Sequence, residues 1–131
     1  MEIHFKIIGF ALIGLALIHF VFPKYFDWKN DLSKLSLINK EIMYVHTFFL
    51  ALVLFLVGLL CITCSNDLVY STLGKNISLG LGIFWGCRLF IQFFGYSTTL
   101  WKGKLFETLI HIIFSILWAY LSFIFFYNYF S

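Results

Sequence analysis

Charge is the scarcest thing in this sequence. Of 131 residues, nine are Lys or Arg and six are Asp or Glu, 11% of the chain, where an ordinary soluble domain carries about a quarter. A soluble fold is excluded, because one domain of this length has no core large enough to hide 18 Phe, seven Tyr and four Trp. Disorder, collagen, coiled coil and a disulfide-rich secreted scaffold fail on the same composition. The charges are also missing in blocks: none lies in 7–23, 42–66 or 108–131, and Arg88 alone interrupts 76–101.

Four uncharged blocks imply four membrane spans. A helix rises about 1.5 Å per residue, so about 20 apolar residues cross roughly 30 Å of hydrocarbon. The pattern predicts an all-α, antiparallel up-down bundle of four transmembrane helices, one membrane domain over 1–131. The helices are expected at about 3–22, 42–64, 77–96 and 105–129. Pro23, the run Ser65-Asn66-Asp67, and Gly95 with Ser97 and the Thr98-Thr99 pair read as stop signals for the first three. No small-residue cleavage pattern follows the first span, only Phe22-Pro23-Lys24-Tyr25, so it reads as a retained helix and not a signal peptide.

Lys and Arg in short loops set orientation. Lys24, Lys29, Lys34 and Lys40 lie in the 23–41 connection and Lys102 and Lys104 in 97–104, against Lys6 and Lys75 on the opposite side. This asymmetry predicts both loops in the cytoplasm and both termini outside. The 23–41 loop interleaves Tyr25, Phe26, Trp28, Leu32, Leu35 and Leu37 with charges, as suits a segment in the headgroup layer. Ser78, Gly80, Gly82 and Gly86 give the third helix a small-residue set for close packing inside the bundle or against a second copy.

The few polar residues inside the spans sort by depth. Counting about 1.5 Å per residue inward from the cytoplasmic side, His19 lies about 4.5 Å down, His46 and Gln92 about 6 Å, Arg88 about 12 Å, Glu107 about 3 Å and His111 about 9 Å. All six fall in one leaflet, and each helix supplies at least one. Trp85, Arg88, Gln92 and Tyr96 form one stripe on the third helix, and Glu107, His111, Ser115, Trp118 and Ser122 one on the fourth. Such stripes should face the protein interior, since lipid offers no hydrogen bonds. Arg88 cannot shed its charge. It calls either for Glu107 as an ion-pair partner or for an anionic or carbonyl-bearing ligand bound among Arg88, Gln92, Glu107, His46, His111, Trp85 and Tyr96.

His46 and His111, at similar depth on different helices, could ligate haem b or a transition metal, with His19 and Glu107 as further donors. A packing role for these histidines is the competing reading. There is no His-x-x-His, Glu-x-x-His or Cys-x-x-Cys-His motif to strengthen the metal reading. Cys61 and Cys64 form a Cys-x-x-Cys pair, yet at the C-terminal end of the second helix, where the dipole opposes a thiolate, and only Cys87 remains to complete a relay.

Three stretches, Asn39–His46 with Phe48-Phe49, Phe84–Leu89 with Gln92–Phe94, and Leu100–Lys104 running into Phe106–Thr108 and His111, resemble a group of small four-span bacterial membrane proteins. The resemblance covers about 36–125 and implies the fold without an activity. Three functions then fit the residues. One is a binding or accessory subunit of a larger membrane complex or homodimer, recognising a lipid, quinone or partner helix. The second is a haem or metal redox protein, and the third a small proton-coupled anion carrier. Nothing in the composition points to nucleic acid.

Overall fold

The computed structural model describes every residue except Trp101. Among the described residues the chain is all-α, and four helices are long and apolar enough to cross a membrane. In order they are α1 (Glu2–His19), the short α2 (Phe22–Tyr25) and α3 (Trp28–Asp31), α4 (Leu37–Thr63), the short α5 (Ser65–Tyr70), α6 (Thr72–Phe94) and α7 (Leu105–Phe130), with a 3-10 turn at Thr98–Leu100. They divide into two compact units, Glu2–Ser65 and Asn66–Ser131.

Several boundaries differ from the sequence reading, each for a local reason; α6, expected from 77, begins at Thr72 because Ser71 caps it. Helix α4 begins at Leu37, five residues before the uncharged block, because the Ser36 hydroxyl caps it by accepting from the Asn39 N–H at 3.4 Å. Lys40 and Glu41 therefore occupy helical turns. Pro23 does not end α1, which stops at His19; it sits in the first turn of α2, where its missing N–H would have had no partner. The expected loop thus holds two short helices, joined at Asp27, whose backbone is left-handed (φ 52°) and whose carboxylate accepts from Asn30 Nδ2 at 2.9 Å. Likewise Ser65-Asn66-Asp67 opens α5 instead of only closing α4.

In the first unit α1 packs antiparallel on α4. Phe20 meets Phe48 edge-on at 6.5 Å near one end, and Gly9 meets Gly58 near the other. A Cβ on Gly58 would stand 2.8 Å from the Gly9 carbonyl oxygen and 3.0 Å from Ile13 Cγ1. The two backbones touch there because neither residue has a side chain. Phe5, Ile8, Leu12, Leu15 and Ala16 on α1 are buried, as are Ala51 and Cys61 on α4. Trp28 of α3 is buried too, its ring edge-on to Tyr44 at 5.4 Å.

In the second unit α6 and α7 run antiparallel, and part of the small-residue set supplies their seam. Gly82 lies under the Phe126 ring, and the Ser122 hydroxyl donates to the Gly82 carbonyl at 3.2 Å. Gly80 faces open space. Toward the end of α7, Asn128 is 1% exposed; its Nδ2 donates to the Leu68 carbonyl at 2.8 Å and to Ser78 Oγ at 2.7 Å, tying α5, α6 and α7 together. Ser71 caps α6 by accepting from the Gly74 N–H at 2.8 Å.

Candidate functional site

The polar residues of α6 and α7 meet around Gln92. Helical spacing aligns Trp85, Arg88 and Gln92 on α6 and places His111, Ser115 and Trp118 on the facing side of α7. Gln92 is 6% exposed, and its Oε1 accepts from Arg88 Nη1 at 3.2 Å and from the Trp118 indole N–H at 3.3 Å. Its Nε2 lies 2.9 Å from His111 Nδ1. The second guanidinium nitrogen, Nη2, donates to the Tyr96 hydroxyl at 3.3 Å. Tyr96 stands beyond the end of α6, so Arg88 stretches along its own helix toward the membrane surface, the direction a charged side chain takes to leave hydrocarbon.

Aromatic rings enclose this network. The Arg88 guanidinium carbon sits 5.1 Å from the Trp118 ring centre and 5.5 Å from that of Tyr96, within cation–π range. Trp118 stacks on Trp85 at 5.0 Å with 10° between planes, and on Phe114 at 5.5 Å. Phe93 stands edge-on to His111 at 5.9 Å. The Trp85 indole N–H is buried without a hydrogen-bond partner.

Chemical identity fixes the direction of these bonds. Arginine and indole nitrogens only donate, so the Gln92 oxygen must face Arg88 and Trp118, and its amide nitrogen must face His111. An amide NH₂ is itself only a donor, so His111 Nδ1 is the acceptor and the ring proton resides on Nε2. The Ser115 hydroxyl donates to the His111 carbonyl at 2.7 Å.

The residues singled out from sequence separate into two groups. Arg88, Gln92, Tyr96, His111 and Trp85 come together on α6 and α7. Glu107 is exposed, and among the described residues it forms no ion pair with Arg88, whose guanidinium turns to neutral acceptors instead. In the first unit, the His19 Nδ1–H donates to the Leu15 carbonyl at 2.7 Å and its ring packs on Phe22 at 4.8 Å. His46 is exposed on α4. Among the described residues no three His, Cys, Asp or Glu side chains gather as a ligand set. Cys61, Cys64 and Cys87 are free thiols.

The histidine geometry bears on haem or metal. Nε2 of His19 keeps its lone pair, because Nδ1 carries the proton donated to Leu15. His111 fits less well: for Nε2 to ligate, the proton would have to move to Nδ1, donor against donor with Gln92. Gln92 cannot turn over to relieve that conflict without pointing its NH₂ at Arg88 and Trp118.

Two residues of structural weight lie outside the ligand-binding set that the sequence predicts. Trp118 belongs to the predicted stripe, and its indole N–H and ring face serve Gln92 and Arg88 directly. Asn128 belongs to neither. Continuing the α7 stripe past Ser122 by steps of three would have reached it through Phe125.

A groove of about 480 Å³ lies at the other end of this unit, lined by Tyr70, Ser71, Lys75, Asn76, Tyr129 and Phe130. Two of its polar groups already have structural partners: Lys75 Nζ donates to the Ser131 carbonyl at 2.7 Å, and the Ser71 hydroxyl to that of Asp67 at 2.6 Å. Comparison with protein-family models, with curated proteins and with solved structures gives no match to this chain.

Proposed function

We propose that this multi-pass membrane protein is a binding or accessory subunit whose α6–α7 pair recognises the head of an amphipathic molecule, a lipid or quinone, or a polar group on a partner helix. One observation carries the reading: Arg88 sits within a membrane-length helix bonded to two neutral acceptors, and no carboxylate of a described residue neutralises it. An arginine costs about 2.5–3.5 kcal/mol at the centre of a membrane helix and less toward its end, and two neutral hydrogen bonds with two ring faces leave the Arg88 charge without a counter-charge. An arginine serving structure alone would be better matched by a carboxylate, and Glu107 on the neighbouring helix is not used.

The same reading places the protein in a bacterial inner membrane, with 23–41 and 97–104 on the cytoplasmic side, so that the site opens toward the cytoplasmic leaflet beside Lys102 and Lys104. A haem or metal redox role would require His111 to give up its bond to Gln92. A carrier would require two access states, for which paired repeats are usual and none is visible in the sequence.

The test is to purify the full chain and its Arg88→Gln variant in mild neutral detergent, extract bound small molecules and compare them by mass spectrometry, recording absorption spectra alongside. A lipid or quinone retained by the first and lost from the second supports the reading. Identical extracts from two folded proteins overturn it, and a Soret band abolished by His111→Ala would replace it with the redox reading.

A further inference from the structure

The hydrogen-bond valences left over around Arg88 define what the site takes. Arginine offers five N–H donors, and two are engaged, with Gln92 and Tyr96; three remain. Gln92 has spent both acceptor positions of its oxygen on Arg88 and Trp118, and keeps one amide hydrogen beyond the one given to His111. Tyr96 accepts from Arg88, which leaves its own O–H to donate. The buried Trp85 N–H in the same aromatic stack is unspent as well. The surplus is therefore almost wholly donor, around one full positive charge.

A partner for such a cluster must be an acceptor on every side and must carry negative charge. That describes an oxyanion, excludes a hydroxyl or amine head, and disfavours a zwitterionic headgroup, whose ammonium cancels the phosphate charge and is repelled by Arg88. A quinone carbonyl, neutral with two lone pairs, would leave the charge standing. Position narrows the choice further. Arg88 lies six residues before the last residue of α6, about 9 Å below the helix end at 1.5 Å per residue, and its guanidinium is drawn from there toward Tyr96. It is thereby directed to the level where headgroup phosphates and acyl chains join. Phe90, Phe93 and Phe94, all more than half exposed, flank this end of α6 with apolar surface suited to acyl chains.

Resting on the ligand-binding reading above, we infer that the Arg88–Gln92–Tyr96 cluster is a binding site for the phosphate of an anionic phospholipid. Arg88 forks onto the phosphate oxygens, Tyr96 and Gln92 donate from its flanks, and the Trp118 ring supports the guanidinium.

The test uses the full chain in phosphatidylcholine nanodiscs doped with phosphatidylglycerol or phosphatidic acid, transferred to detergent and examined by native mass spectrometry. Parallel arms contain ubiquinone or inorganic phosphate. The wild type should retain one anionic phospholipid with at least about tenfold preference over phosphatidylcholine. Arg88→Gln should lose that preference, and Arg88→Lys should keep only part of it, since lysine carries the charge without the fork. Gln92→Glu supplies Arg88 with a carboxylate; it should remain folded by near-ultraviolet circular dichroism yet lose anionic lipid at least tenfold. Retention of anionic lipid by Gln92→Glu at the wild-type level overturns the assignment, as does displacement by inorganic phosphate alone, which moves the site to free phosphate. Arg88-dependent retention of ubiquinone without any preference for anionic lipid overturns this inference and leaves the ligand-binding reading standing. A wild type that retains nothing in any arm overturns both.

Discussion

Gln92 and His111 are joined across α6 and α7 by a 2.9 Å bond in which the amide donates and the imidazole Nδ1 accepts. The bond has one permitted direction because the glutamine oxygen is already claimed by Arg88 and Trp118. It makes one glutamine the hub of three interactions, and it makes the protonation of a histidine depend on an amide orientation.

His111 should accordingly occur as the neutral ring protonated on Nε2. Nitrogen-15 spectroscopy of histidine-labelled protein in bilayers should give a pyridine-type Nδ1 and a pyrrole-type Nε2 for this residue. His19, whose Nδ1–H donates to Leu15, should show the opposite tautomer. The reverse assignment at His111 would require Gln92 to be turned over.

Gln92→Leu removes the acceptor shared by Arg88 and Trp118 and the donor to His111. Buried donors left without partners cost about 1–3 kcal/mol, so reversible unfolding in detergent should show a loss in that range. Gln92→Glu should be the milder change, since it keeps the acceptor.

Arg88→Gln and Glu107→Gln should be energetically independent. No ion pair joins the two residues, so the double variant should equal the sum of the singles within about 0.3–0.5 kcal/mol. A larger coupling would show that they pair in the membrane.

Gly58→Ala should loosen the α1–α4 pair. Its new Cβ would meet the Gly9 carbonyl oxygen at 2.8 Å, a backbone atom that cannot swing aside, and overpacking of this kind costs about 1–3 kcal/mol. Gly14→Ala, on α1 with nothing within 4 Å of the added atom, is the matched control and should unfold no more easily than the parent, since alanine is the better helix former.

Asn128→Leu should destabilise the α5–α6–α7 junction by about 1–3 kcal/mol, because the Leu68 carbonyl and Ser78 hydroxyl each lose a donor. Asn128→Asp should be worse, putting a carboxylate opposite that carbonyl. Hydrogen exchange at the start of α6 reports the change.

The spans were legible because charge has only one reason to vanish over about 20 residues at a time. Helix ends were less so. At Leu37 the deciding feature is the Ser36 cap, which hydropathy does not register, and Lys40 and Glu41 hide the helix behind polar character. Pro23 reads as a stop from sequence, whereas its position in the first turn of α2 makes it a start. In the site, steps of three and four put Trp85, Arg88, Gln92 and Tyr96 on one face of α6 and His111 on a stripe of α7, an arithmetic that depends only on the helix. Partner choice was not legible: depth suggested Glu107 for Arg88, whereas the side chain runs along its own helix to Tyr96. Periodicity fixes faces, and rotamers decide which neighbour on a face is met. The Leu100–Lys104 stretch of the resemblance includes Trp101, which lies outside the described residues.

Trp85 and Trp118 come from opposite helices, and their rings lie 5.0 Å apart and nearly parallel. Two indoles so placed share electronic excitation, so the pair should leave a coupled signature in the ultraviolet dichroism that a solitary indole such as Trp28, against Tyr44, cannot produce. The protein thereby carries its own optical gauge of whether α6 and α7 are together, readable without any label.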